Sequence, residues 1–352
     1  MIKKRILRSA SQQLIYQAAL EYGLDCAIES TRFNLFSINL GGEKVFIKGT
    51  RLPINSQSSC SIANNKFLSK KIFKQNNICV PKSWLVKTVK QARELIVKHN
   101  VFPCVIKPIF GAHGDEIYAN IETLRELDSV LAKFAQSDHN DILIEEHISG
   151  IDYRILVVGN EVSAAVERIP AHVVGDGKNS IKALIKKFNA HPLVGKRYEK
   201  PLCRIRINYE LSRSLKKSGL KLTNIIPLNT VVFLKQNANI SSGGTSKDVT
   251  ATINHQSKIL AIKASQVLGM EFSGVDIIFN PKTGTSYVLE VNDCPGIDIH
   301  HYPTIGKPQN VAKSIVEYIV ACKMQSHTMM NVKPTHTDKL IGSLNKNRHS
   351  QI

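Results

Sequence analysis

The sequence is poor in the features that mark several functional classes. Aromatic residues make up only 6% of it, and no RNP-like or zinc-finger pattern appears, so a nucleic-acid surface finds little support. The seven cysteines include no C-x-x-C pair. That argues against a zinc site or a disulfide framework, and the odd, scattered set fits a reducing, cytoplasmic setting. No apolar run approaches the roughly 20 residues needed to cross a bilayer. The start, MIKKRILRSASQQ, is basic but has no apolar stretch behind it to serve as a secretory signal. There is no GxSxG, no HExxH, no GxGxxG after a strand, and no GxxxxGK[ST]; Gly177-Lys178 is followed by Asn179 where Ser or Thr would be required. Acidic residues are scarce, 28 against 47 Lys and Arg, which leaves a formal net charge of +19. Such an excess favours polyanionic partners without choosing among nucleotides, nucleic acid, acidic membranes and acidic peptides.

What is present is an ordinary globular composition: 352 residues, 43% hydrophobic, enough for one large or two to three small domains. Helices are expected at 10–22, 64–75, 90–99, 121–134, 179–188, 256–269 and 310–322. Strands are expected at Leu35–Leu40, Lys44–Ile47, Phe102–Lys107, Asp141–Glu145 and Val231–Lys235, with an extended segment at Ile78–Val80 before Pro81. Two hairpins stand out: Tyr153–Val158 with Glu161–Glu167 about Gly159–Asn160, and Val275–Phe279 with Ser286–Asn292. Residues 189–230 are poorly periodic. The sheets should be antiparallel or mixed, because regular β-α-β alternation is missing. The tail from 323 carries five Lys/Arg and one Asp with little apolar content, and is expected to be disordered.

Four places can carry chemistry. In the last hairpin, Glu290 and Asn292 share a strand face. A turn symmetric about Lys282–Thr283 puts Asp276 opposite Leu289, beside Glu290; a one-residue slip puts it directly opposite. Two carboxylates and an amide oxygen there would suit Mg²⁺; otherwise the acids are plain solvent-facing strand residues. In VIKPIFGAHG, Lys107 ends an apolar strand, and a glycine-bearing loop follows that could cover phosphates. Many strands end this way without function. Glu145, Glu146 and His147 close a strand whose backbone could read an adenine edge, and Asp152 could accept from ribose hydroxyls. A solvated acidic turn is the plainer alternative. Finally, Asn239–Ser246, with Asp248 beyond, is a small polar loop able to close on an anion, or simply a connection.

Taken in order, six segments resemble the ATP-grasp superfamily: ANNKFLSKKIF, VIKPIFGAHG, ILIEEHISGIDYRILVVGNEVSAAVERIPAHVVGDGKNSI, NANISSGGTSKDVT, GVDIIF and YVLEVNDCPGIDIHHYPTIGKPQNVAKSIV. They are similar to the ATP-grasp region of cyanophycin synthetase and to the ligase domain of bifunctional glutathione-synthesising enzymes. The resemblance implies an α+β fold in which two α+β units close on ATP. A short N-terminal α/β segment (1–80) would precede a lid subdomain (81–150) and a catalytic subdomain (151–322), with the tail beyond. It implies an ADP-forming carboxylate–amine ligase working through an acylphosphate. Lys66 and Lys107 would bind ATP phosphates, with Gly111, His113 and Gly114 in the covering loop. Glu145, Glu146 and His147 would form the adenine hinge, with Asp152 near the ribose. Asp276, Glu290 and Asn292 would hold Mg²⁺. Arg154 and Arg168 would neutralise the transferred phosphoryl or acylphosphate, and Ser241, Ser242, Gly243, Gly244 and Thr245 would cover the acyl-acceptor pocket.

The resemblance has limits. The Mur-ligase-like half of cyanophycin synthetase and the glutamate–cysteine ligase half of the bifunctional enzymes have no counterpart in this sequence, so neither complete activity is expected. A glycine- and histidine-bearing stretch expected near 191–200 reads HPLVGKRYEK, which leaves the acceptor open. The substrates expected are small molecules or short peptides, with acidic ones favoured by the charge. Relatives of this type often form dimers or larger assemblies. The competing readings are a basic nucleic-acid-binding module and an ATP-binding regulator without turnover.

Overall fold

A computed structural model describes residues 7–110, 117–136, 141–196 and 200–331, with side chains to Met324. Helix α1 (Ala10–Glu21) starts where the Ser9 hydroxyl accepts from the Gln12 N–H. It packs on a three-stranded antiparallel sheet of β1 (Asp25–Ser30), β2 (Leu35–Leu40) and β3 (Glu43–Lys48). Two helices follow, α2 (Gln57–Asn64) and α3 (Lys66–Gln75). The sequence pattern reads as one helix from 64, but Asn65 is extended and its side chain accepts from the Leu68 N–H at 3.0 Å. That cap puts Lys66 in the first turn of α3.

The next unit is a four-stranded antiparallel sheet in the order β4-β7-β5-β6. It comprises β4 (Ser83–Val86), α4 (Val89–Lys98), β5 (Cys104–Pro108), β6 (Tyr118–Ile121), α5 (Leu124–Phe134) and β7 (Ile142–Glu146). Residues Ile78–Val80 belong to no helix or ladder, and the first strand of this sheet is β4. The helix expected from Ile121 begins at Leu124, because Ile121 ends β6 and Thr123 caps the helix by accepting from the Glu126 N–H. Ala92, Ile96, Leu127 and Val130 of the helices meet Ile106, Ile121 and Ile144 of the sheet in one apolar cluster.

The third unit is built on β8 (Ile151–Val158) and β9 (Glu161–Ile169). After them come β10 (His172–Val174), α6 (Ile181–Asn189), β11 (Val194–Gly195), β12 (Leu202–Cys203), α7 (Tyr209–Lys217) and β13 (Val231–Phe233). They enclose their own core, with Ile181, Ile185, Leu211, Leu215 and Leu234 at its centre. Helix α7 lies in the stretch whose periodicity is weak. The chain then adds β14 (Thr245–Asp248), α8 (His255–Val267), β15 (Phe272–Asn280), β16 (Thr285–Asn292), the short α9 (Asp298–His301) and α10 (Val311–Asn331). Helix α10 runs past the expected end at 322.

The main sheet is antiparallel, in the order β14-β9-β8-β15-β16. Its two faces follow from strand alternation. Tyr153, Ile155 and Val157 point to the face covered by α8. Leu156 and Val158 point the other way, into a cluster shared with α1, the N-terminal sheet and α10. Asp152 and Arg154 share that second face, beyond its apolar end. The sheet is therefore closed by hydrophobic packing at one end of this face and charged at the other.

Candidate active site

The charged end is set by strand register. Asp276 pairs with Arg154 on β8 and with Glu290 on β16, and Asp152 pairs with Arg168 on β9. Near the turn the hairpin follows the symmetric register, with Ile277 opposite Val288. A β-bulge then leaves Leu289 without a direct partner, so Asp276 faces Glu290 and not Leu289. The symmetric expectation is thus corrected by one residue, and the bulge re-aims Glu290 onto the charged face.

Around Asp276 the cations are close. Arg154 holds the carboxylate with Nε on one oxygen and Nη2 on the other, the latter at 3.1 Å. Arg168 Nη2 reaches Asp276 Oδ2 at 3.1 Å and Asp152 Oδ1 at 2.7 Å. Burial alone would raise the Asp276 carboxyl, but the two guanidiniums outweigh it and hold it below the usual range. Asp152 goes the other way, since burial outweighs Arg168 and raises it. The Asp152 carboxylate is thus held by Arg168. Gly274 makes room for this geometry. A Cβ there would lie 3.2 Å from Arg154 Cδ and 2.6 Å from Pro295 Cβ.

Asp276 and Glu290 stand directly opposite each other on paired strands. Two carboxylates so placed call for a cation between them. Asn292 donates its amide N–H to the Gly274 carbonyl at 3.2 Å, which leaves its oxygen as an acceptor beside them. This donor set fits a hard divalent ion that keeps other oxygen ligands. Among the described residues, no cluster of three or more His, Cys, Asp or Glu side chains forms a metal site by itself.

The second half of the site is built on α3 and the four-stranded sheet. Lys107 Nζ lies 2.8 Å from Glu145 Oε2, and Lys70 Nζ lies 2.9 Å from Glu145 Oε1. All three are at most 5% exposed. Burial would raise the Glu145 carboxyl, yet the two ammoniums keep it low. The Glu145 side chain is thus a clamp for two lysines. The N–H groups of Glu146 and His147 are also engaged, by the Lys82 and Pro103 carbonyls at 3.0 Å each. Burial shifts His147 toward its neutral form. Lys66, lowered mainly by burial, lies 3.7 Å from Glu290 and so joins the two halves. Its backbone N–H donates to the Ile109 carbonyl just beyond Lys107.

The polar loop lies at the far side of the main sheet. Ile240–Ser242 form one turn of 3₁₀ helix, and Thr245 already belongs to β14, paired with Ile169. Gly243 is left-handed at φ +96°, and a Cβ there would meet Ile205 Cγ1 at 2.4 Å. Ser242 donates to the Asn239 carbonyl at 2.8 Å, and Gly244 donates to the same carbonyl. The residues Gly111, His113 and Gly114 lie outside the described residues.

Comparison with known proteins places this arrangement. The RimK-like ATP-grasp domain matches residues 63–178 and 235–319, more than half of the chain. The chain belongs to the RimK-like ATP-grasp family. Its α+β architecture is the ATP-grasp fold. Cyanophycin synthetase of Trichormus variabilis is 29% identical over 88% of this chain. The glutathione biosynthesis bifunctional protein of Clostridium perfringens is 30% identical, also over 88%. The chain spans 35% of the first relative's length and 41% of the second's. A bifunctional glutathione synthetase from Pasteurella multocida superposes with a TM-score of 0.63 at 26% identity, covering 89% of this chain and 43% of that one.

Sequence reasoning did not single out two buried groups that lie beside these residues. Lys70 is 1% exposed, and burial pushes its ammonium down to about 8. Its signal was present, because Lys66 and Lys70 are four apart and share a helix face. His300 is fully buried near Arg154, with neither ring nitrogen hydrogen-bonded among the described residues, and burial pushes it down to about 3. No spacing marks it, since it sits in a four-residue helix after an irregular loop.

Proposed function

We propose that the chain is an ATP-dependent ligase that joins a carboxylate to an amine and releases ADP and phosphate. The observation that carries this reading is one continuous array of buried and half-buried charge. It runs from Lys107, Glu145 and Lys70 through Lys66 and Glu290 to Asp276, Arg154, Arg168 and Asp152. It crosses from the four-stranded to the five-stranded sheet. Phosphoryl transfer asks for positioned charge more than for a nucleophilic side chain, and this array offers that.

In this reading ATP lies between the sheets, with its phosphates on Lys66 and Lys107. Asp276, Glu290 and Asn292 hold Mg²⁺, which supplies charge neutralisation at the phosphate oxygens. Arg154 and Arg168 then face the transferred phosphoryl group and the acylphosphate. The substrate carboxylate and amine belong to amino acids or short peptides, with the Ser241–Thr245 loop at the acceptor. The scattered cysteines fit a cytoplasmic setting; among the described residues no helix is long and apolar enough to cross a membrane. The reading of a basic nucleic-acid module has no observation behind it, because the site's cations are matched to carboxylates in a buried array.

The test is ADP release with ATP and Mg²⁺ over a panel of amino acids, dipeptides and acidic oligopeptides, alongside Glu290→Ala. Release that requires one donor–amine pair and disappears in the variant is the expected result. ATP binding without release for any pair would favour a regulator, and absence of ATP binding would overturn the proposal.

A further inference from the structure

Residues 179–234 fall between the two stretches that match the family. Their helix α7 meets both the four-stranded sheet and the chain leading into the polar loop. On one side it meets β6, the edge strand of the four-stranded sheet. Arg213 donates to the Ala119 carbonyl at 3.0 Å and the Asn120 carbonyl at 2.9 Å. Lys217 donates to the same Asn120 carbonyl at 2.6 Å and to Glu122 at 2.9 Å. Asn120 is left-handed at φ +52°, a conformation few side chains other than Asn adopt readily. Its carbonyl is taken by both cations. Tyr209 adds a hydrogen bond to Ser129 at 2.8 Å and stands edge-on to Tyr118.

On its other side α7 meets the segment leading into the polar loop. Ser214 donates to the Phe233 carbonyl at 3.2 Å, and Gln236 donates to Ser214 at 3.4 Å. Glu210 lies 3.6 Å from Lys235, which is 5% exposed. The Arg213 and Lys217 side chains are only 11% and 17% exposed, so their bonds are sheltered from water and salt.

We propose that Arg213 and Lys217 are positioning residues that make α7 a strut between the sheet carrying Lys107 and the chain entering the Ser241–Thr245 loop. The strut sets the spacing between the nucleotide and the acyl acceptor. That last step rests on the proposed ATP site; the strut itself does not. An edge strand has free carbonyls on its outer side and is the most easily displaced part of a sheet. Two cations on those carbonyls tie it to a helix anchored in a separate core.

The test compares the full chain with Arg213→Met/Lys217→Met and with Arg213→Lys, by hydrogen exchange without ligand. Amides of Tyr118–Phe134 should exchange about tenfold faster in the double variant, with those of α8 unchanged and Arg213→Lys intermediate. Unchanged exchange at Tyr118–Phe134 would overturn the strut. So would a rise of equal size in α8, since α7 would then be only part of the general core. ATP titration with Mg²⁺, followed by the single tryptophan, Trp84 on β4, supplies a second arm. Binding about tenfold weaker in the double variant is expected. Wild-type affinity in that variant would remove the link from strut to nucleotide. Failure of the unsubstituted chain to bind ATP would overturn the ATP site and leave the exchange result to decide the strut.

Discussion

The two halves of the site carry opposite excesses of charge. On the four-stranded sheet and α3, two lysines share one carboxylate, Glu145. On the five-stranded sheet, three carboxylates, Asp152, Asp276 and Glu290, stand with two arginines, and Lys66 reaches across between the halves. The first half favours an anion and the second a cation. A triphosphate and its metal would satisfy both at once. That is why neither half by itself reads as a complete binding site.

Removing an acid from the acid-rich half should have the largest effect. Asp276→Asn is expected to lower ADP release by about a thousandfold, since it removes the anchor of two arginines and, in the proposed reading, a cation ligand. Leaving those arginines buried and underpaired should also cost about 3–5 kcal/mol of stability, read by urea unfolding. Asn keeps the shape, so packing is not the cause.

The matching change in the lysine-rich half is Glu145→Gln. It leaves Lys70 and Lys107 buried together without a counter-charge. A loss of about 3 kcal/mol is expected, with ATP binding weakened about tenfold as Lys107 loses its orientation. Near-normal ATP affinity would show that Glu145 serves folding alone.

Acid should act through the buried histidines beside the acid-rich half. Burial holds His300 at about 3 and His301 at about 4, against an ordinary value of 6.5. The unfolded chain takes up their protons first as pH falls below 6.5. Stability should therefore drop from 6.5 toward 4, and for His300 on toward 3, by up to about 1.4 kcal/mol per pH unit for each histidine. His301 Nε2 also accepts the Ala312 N–H at the start of α10, so protonation breaks a helix cap. His301→Gln should shallow the slope between pH 6.5 and 4, measured by urea unfolding at each pH.

The smallest effect belongs to Lys70. Its folded value of about 8 lies below the ordinary 10.5, so the folded protein loses this charge as pH passes 8 while the unfolded chain keeps it. ATP binding should weaken about threefold between pH 7.5 and 9, and Lys70→Met should remove that dependence in an ATP titration.

Much of the strand framework was legible because strand alternation is a local property. The hairpin about Gly159–Asn160 and the last hairpin both fall where residue pattern and turn chemistry put them. The small β-α-β-rich insertion was less legible. Its strands β11 and β12 are two residues each, and α7 is held by contacts with residues about a hundred positions away. The division between α2 and α3 was also hidden, because Asn65 ends one helix and caps the next within a continuous polar run.

By itself, the sequence determined which residues share a face. Asp152 and Arg154, Glu290 and Asn292, and Lys66 and Lys70 are grouped by the periods of strand and helix alone. Their resemblance to ATP-grasp segments indicated the chemistry. Only the tertiary structure decided which charges meet. The bulge at Leu289 brought Glu290 opposite Asp276, the place of β8 between β9 and β15 set Arg154 and Arg168 on one carboxylate, and burial made Glu145 a lysine clamp. Periodicity needs only neighbouring residues, whereas register and ion pairing depend on which distant strand lies alongside and how much water it excludes.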